Sequence, residues 1–172
     1  MSASPPPTPL PPGPPPLRWS EVETADPGFA AAVLARFTAT KHHVLACLTR
    51  DGSPRVWGTE VDRWRGDLLL GSMVPARKVD DLRRDPRFAL HANPGDGSMA
   101  GGDAKLTGRA VEVTDEALLA AYTDERRPPP PFVLFRLELT SVVLTELDGE
   151  GEAAVLRIRS LAPGRAVRTV TR

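Results

Sequence analysis

The chain has 172 residues, enough for one domain with a sizeable core, and its 22 Lys+Arg balance its 22 Asp+Glu. A net charge of zero argues against a nucleic-acid or anionic-membrane partner. One cysteine, Cys47, excludes an intrachain disulfide framework and a cysteine zinc site, and no apolar run reaches membrane-spanning length. The amino terminus also lacks the basic-then-apolar order of a signal peptide, so the expectation is a cytoplasmic protein without membrane contact.

Residues 1–18 are dominated by proline and cannot bury a core; they are expected to be a disordered extension to a domain spanning 19–162, with a polar tail over 163–172. Ser20 to Glu23 has capping-box spacing, and Asp26-Pro27 offers a second helix start. Phe29, Val33 and Phe37 recur every four residues, predicting one amphipathic helix to about Thr40. The apolar run from His43 to Thr49 is a first strand, in which Cys47 reads as a small buried hydrophobe. Asp51-Gly52 has the composition of a type I′ turn, leading into a second strand from Pro54 to Trp64. Gly58 interrupts its alternation, which predicts a bulge or a close approach to the backbone. Arg65-Gly66-Asp67 turns into a third strand, so three strands form an antiparallel meander.

The next stretch, Gly71 to His91, reads as strand end, turn, helix and strand. Pro75 suits a first helical turn, Val79 and Leu82 share a buried face, and Pro86 closes the helix. Arg77 and Lys78 fall where the helix dipole disfavours cations. They are either a solvated basic turn or the grip on an anion, for which phosphate is the natural candidate.

Arg87 to Ala92 is a fourth strand, Asn93 to Gly102 a glycine-rich loop, and Ala104 to Thr114 a fifth strand with a bulge expected at Gly108. Asp115 to Ala121 predicts a short helix, followed by a stiff Arg-Arg-Pro connector. Phe132 to Leu147 is two strands or one sharply bent strand, and Asp148-Gly149 returns it into Ala153 to Ile158. The order predicts a mainly β fold: a six- to seven-stranded antiparallel split barrel of Greek-key type, with helices filling its gaps. His42 and His43 are adjacent and point to different faces, and His91 is isolated, so no metal site is expected; of the three, His91 is the candidate to line a pocket.

DGSPRV, a strand pair, and then GSMVPARKVDDLRRDPRFAL resemble the pyridoxamine 5'-phosphate oxidase-like superfamily of flavin-binding split β-barrels. The resemblance covers roughly Ala30 to Leu147, and RKVDDLRRDPR is its most specific part. It implies that Arg77 and Lys78 bind a cofactor phosphate, that Ser72 and Met73 contact phosphate or ribityl, and that Trp57, Gly58 and Thr59 lie along the flavin ring. Lys105 falls where oxidases of the family place a glutamine that reaches the cofactor, a departure from their pattern. The family's carboxy-terminal Arg-x-His arrangement has no match in RSLAPGRAVRTVTR, so pyridoxamine phosphate is not the expected substrate.

The implied function is an oxidoreductase that transfers hydride to or from a small organic substrate through FMN or the deazaflavin coenzyme F-420. The resemblance also implies a homodimer with the cofactor at its interface, and the apolar VLFRLELTSVVL strand independently wants a partner surface. No side-chain pattern identifies a catalytic acid, base or nucleophile. A non-catalytic flavin- or haem-binding module (a carrier or sensor) and a ligand-free barrel are the alternatives.

Overall fold

The computed structural model describes residues 14–95, 99, 101–149 and 153–172; most of the proline-rich segment and the tip of the glycine-rich loop lie outside them. Two helices open the fold, α1 (Trp19–Ala25) and α2 (Pro27–Thr38). They are not the single helix expected. Asp26 ends α1 in an extended conformation and caps α2, its carboxylate accepting from the Phe29 N–H at 2.9 Å. The α1 capping contact also moves, because the Arg18 N–H donates to the Glu21 carboxylate at 2.6 Å. Phe29, Val33 and Phe37 are buried as their spacing predicts, and Trp19 is completely enclosed.

Among the described residues nine strands form one continuous antiparallel sheet: β1 (His43–Leu48), β2 (Pro54–Thr59), β3 (Asp62–Trp64), β4 (Asp67–Met73), β5 (Arg87–His91), β6 (Asp103–Glu112), β7 (Phe132–Asp148), β8 (Val155–Leu161) and β9 (Arg168–Thr171). Between β4 and β5 lies α3 (Arg77–Arg84), and between β6 and β7 lies α4 (Glu116–Arg126). The class is the expected mainly β split barrel, but the strand count exceeds six or seven for two reasons. The second strand is divided at Glu60-Val61, and the last ten residues contribute β9, which pairs with β8.

The main path runs β2-β1-β5-β6-β7-β4-β3, so β2 and β3 lie at opposite ends of it although two residues connect them. The expected three-strand meander therefore does not form. Two hairpins, β1-β2 and β3-β4, sit on opposite flanks, and Glu60-Val61 crosses between them. That crossing is where the barrel is split. Gly58 itself sits in unbroken register with Val44, so it makes no bulge.

The type I′ geometry appears at Arg65-Gly66, where both residues have positive φ (48° and 81°) and Trp64 pairs with Asp67. At the first hairpin only Gly52 is left-handed. The Asp51 carboxylate accepts from the Ser53 N–H at 3.1 Å and from the Thr49 hydroxyl, holding a wider turn closed by Thr49 N–H to Ser53 carbonyl at 2.9 Å.

The main core joins α1 and α2 to inward residues such as Leu45, Leu90, Leu106, Leu137 and Leu139. A second, smaller cluster of Trp64, Leu69, Tyr122 and Leu134 lies under α4, with Tyr122 edge-on to Trp64 at 5.4 Å. Cys47 is buried as expected, receiving the Trp57 indole N–H at 3.2 Å.

His43 is 2% exposed and packs edge-on to Phe37 at 5.1 Å, yet neither ring nitrogen makes a well-formed hydrogen bond among the described residues. Burial is the main force pushing its pKa below the ordinary value, partly opposed by the Phe37 backbone and helped by a smaller push from His42. The native state thus holds the neutral ring, whereas the unfolded chain protonates near the ordinary histidine pKa. Stability on this account is fully present above about pH 6.5 and is lost as pH falls below it. Urea titrations from pH 8 to 5 are expected to show this acid loss in wild type and a shallower loss in His43→Leu; parallel slopes would refute it.

Candidate functional site

The loop Glu60-Val61, the ends of β2 and β4, the first turn of α3 and the carboxyl end of α4 converge on a cleft of about 640 Å3. The sheet brings Gly58 and Thr59 from β2 and Ser72 and Met73 from β4 to one side of the split. The helix adds Lys78, because Val79 and Leu82 are buried and fix its rotation. Cβ atoms built on Gly58 or Gly71 would meet nothing within 4 Å. At both points the backbone is open to a flat group laid against it.

Lys78 Nζ is half-buried and donates to the Gly58 carbonyl at 3.3 Å. Partial desolvation lowers its pKa, with Glu60 pulling the other way. Ala76, the N-cap of α3, has no side chain able to cap the first-turn amides. Pro75 lies before the helix and outside its first turn. Ser72 is nearly buried, and its hydroxyl makes one long bond, to the Met73 carbonyl at 3.3 Å.

Five of the eight residues singled out in the sequence meet at this cleft: Gly58, Thr59, Ser72, Met73 and Lys78. Arg77 is exposed outside its lining and makes no hydrogen bond or ion pair among the described residues. The Trp57 ring turns inward, held by Cys47 and by the Arg55 guanidinium 5.7 Å from its centre. Lys105 belongs to the same cross-sheet row as Gly58, through Val44 and His91. Three strand spacings, about 14 Å, separate the two. His91 is directed away from the cleft, toward the Ala92 carbonyl and Asp103.

Several lining residues escaped the sequence reading: His42, Glu60, Asp62, Tyr122, Arg126 and Arg127. The Arg-Arg pair before the prolines was visible as a stiff connector, but only the tertiary fold carries it to the split. Tyr122 has its pKa pushed up to about 12, chiefly by burial and then by the Asp62 carboxylate, so its hydroxyl stays protonated.

Charge pairing decides what the cleft offers a ligand. Glu60 is engaged by Lys41 at 3.3 Å and lies 3.6 Å from His42, while Asp62 accepts from Arg126 Nε at 2.6 Å. Both lining carboxylates are thus matched by the protein's own cations. Neither Lys78 nor Arg127 has a carboxylate within ion-pair distance among the described residues, although the Glu60 carboxylate in the same lining still acts on Lys78. The unmatched charge is positive, which suits an anion with a flat body against the two glycines. FMN, with one phosphate and a planar ring, fits those requirements. Among the described residues no group of three or more His, Cys, Asp or Glu side chains is placed to hold a metal ion. No described helix is long and apolar enough to cross a membrane.

An antiparallel barrel split between two hairpins, with a ligand-sized cleft at the gap, defines the architecture. It is the fold of the pyridoxamine 5'-phosphate oxidase-like FMN-binding proteins. PhzG of Burkholderia lata, solved with tetrahydrophenazine-1-carboxylic acid, is similar with TM-score 0.58 and 16% identity, covering 88% of this chain and 91% of its own. A pyridoxamine 5'-phosphate oxidase-related FMN-binding protein of Nostoc punctiforme is similar with TM-score 0.59 and 13% identity, covering 84% and 95%. A heme-binding protein of Mycobacterium smegmatis shares the fold with TM-score 0.51 and 16% identity, covering 82% and 87%. No family model and no curated protein matches the sequence.

Proposed function

We propose that the chain is a cytoplasmic FMN-dependent oxidoreductase, with the deazaflavin coenzyme as the alternative cofactor, acting on a small organic substrate. The observation that carries this reading is the half-buried Lys78 ammonium beside the bare backbone of Gly58, in a cleft whose two carboxylates each have another cation of the protein within ion-pair distance. Lys78 would hold the phosphate by a charge-assisted bond, with Ser72 and the uncapped α3 amides as further donors. Gly58 and Gly71 would accept the ring at van der Waals distance, and Phe132 and Tyr122 would help keep water from it. When bound, such a cofactor supplies the hydride chemistry, which explains why the protein needs no nucleophile or acid–base pair of its own.

Val44 and Val56 are exposed apolar side chains on neighbouring strands (41% and 62%), and Met73 is exposed at the cleft itself (66%). The VLFRLELTSVVL strand does not supply a partner surface, because its large apolar side chains are buried within one copy; Val44, Val56 and Met73 instead give a second copy something to cover, in keeping with a homodimer. The fold is equally that of a heme-binding protein, and His42 is the one histidine lining this cleft. A non-catalytic module is therefore the second reading.

The deciding measurement is the visible spectrum of the full chain titrated with FMN, riboflavin, the deazaflavin coenzyme and haemin. FMN is expected to bind at least about tenfold more tightly than riboflavin, the worth of one charge-assisted contact to the phosphate. Reduction of an electron-accepting dye by the photoreduced holoprotein would establish turnover. Equal affinity for FMN and riboflavin would overturn the clamp, and a Soret shift with haemin alone would favour the module.

A further inference from the structure

The chain's lysines are Lys41, Lys78 and Lys105, and the fold gives them different surroundings. Lys41 stands in solvent (72% of its side chain is exposed), with its ammonium 3.3 Å from the Glu60 carboxylate. Lys105 is exposed on the solvent side of β6. Lys78 lines the cleft, half-buried, and its ammonium has one hydrogen-bond partner among the described residues, the Gly58 carbonyl at a long 3.3 Å. The groups in the same lining that carry or can carry charge are His42, Glu60, Asp62, Tyr122, Arg126 and Arg127. Glu60 favours the ammonium from beyond ion-pair distance, but desolvation outweighs it and lowers the Lys78 pKa. The rest of the lining suits a small neutral flat molecule: the open backbone of Gly58 and Gly71, with Val61, Met73 and Phe132 beside it.

We propose that Lys78 is a carbonyl-trapping amine, and that the cleft takes small aromatic aldehydes as imines on its Nζ. The ammonium first gives a proton to solvent, which partial burial makes easier than at an exposed lysine. The nitrogen lone pair then attacks the carbonyl carbon and the C–N bond forms. The carbonyl oxygen leaves as water with the two hydrogens lost from the nitrogen, so nothing is oxidised or reduced. Lys78 gives up one long bond to a carbonyl in order to react, whereas Lys41 must give up an ion pair. An imine at Nζ puts an aryl group where the cofactor phosphate would sit, so aldehyde and FMN compete. That competition rests on the cofactor reading above; the reactivity of the amine does not.

The test incubates the full chain with benzaldehyde and cyanoborohydride, which fixes each imine as a benzylamine, and reads the label at every lysine by peptide mass spectrometry. Lys78 is expected to be labelled at least about tenfold faster than Lys41 or Lys105 in the folded chain. In guanidinium chloride the three should react alike, since the difference comes from the fold. Saturating FMN should slow the labelling of Lys78 alone. Lys78→Arg should remove the fast label and leave the two slow ones unchanged. Equal labelling of the three lysines in the folded chain, or a preference for Lys78 that persists in the denaturant, would overturn the inference. Fast labelling of Lys78 that FMN does not slow would uphold it and sink the phosphate clamp instead. Uniform labelling in a chain that binds FMN would do the reverse.

Discussion

Lys78→Ala is expected to bind FMN about 10- to 100-fold more weakly than wild type, while Arg77→Ala stays within about twofold. The sequence presents the two as an equivalent basic pair, and a helix that left both free to turn would let either reach a phosphate. Burial of Val79 and Leu82 removes that freedom, and so does Asp81, which is 4% exposed and paired with Arg55 at 2.9 Å and Arg84 at 2.8 Å. With that face pinned to the barrel, Lys78 enters the cleft and Arg77 faces solvent. Partial desolvation magnifies the Lys78 contact, whereas an exposed arginine is screened by water and salt. Removing Lys78 breaks one long bond to the Gly58 carbonyl, so the fold should tolerate it. Fluorescence or absorbance titration of the two variants decides the matter. If Arg77→Ala loses as much as Lys78→Ala, the ligand sits on the outer face of α3 and not in the cleft.

The same pinned helix shows what the sequence reveals and what it hides. Val79 and Leu82 announce their face by spacing alone, as do Phe29, Val33 and Phe37, because periodicity is a local property. Asp81 announces nothing: a charged residue on a helix reads as solvated, and the approach of Arg55 from β2, added to Arg84 on the same helix, makes its burial tolerable. The break at Glu60-Val61 is hidden for a similar reason. An extended pair inside a β-rich run looks like more strand, and nothing local says that it leaves one flank of the sheet for the other. Yet that crossing opens the cleft and delivers Glu60 and Asp62 to it. Arg127 was legible as a residue but not as a location, since α4 reaches the split only after β7 has paired with both β4 and β6. The half of the site on the β2, β4 and α3 motif is thus readable, and the half supplied by chain crossings is not.

The largest stability effect is expected from Gly108→Ala, a loss of about 3 kcal/mol or more, or about 6–12 °C in Tm. Alanine elsewhere in a strand would help by about 0.5–1 kcal/mol, because glycine costs more backbone entropy. Here a Cβ would stand 1.9 Å from the Glu138 carbonyl oxygen and 2.9 Å from its carbon, both main-chain atoms that no rotamer change can move. The closeness comes from the bulge expected at this position, though the extra residue is on the partner strand. Thr107 pairs with Ser141 and Gly108 with Leu139, leaving Thr140 over. That irregularity lies between the two jobs of β7, whose residues 132–136 pair with β4 and whose residues 142–148 pair with β8. In the gap between those partners, Leu17 clips onto Leu139 with two 2.8 Å backbone bonds, anchoring the entry to α1. An added methyl would therefore strain the bend, the clip and the longest strand pairing together. Gly71→Ala is the control, since its Cβ meets nothing within 4 Å and should leave the urea midpoint unchanged or slightly raised. Equal midpoints for the two variants would show that the β6-β7 contact yields at little cost, and that the bulge does not hold the barrel's bend.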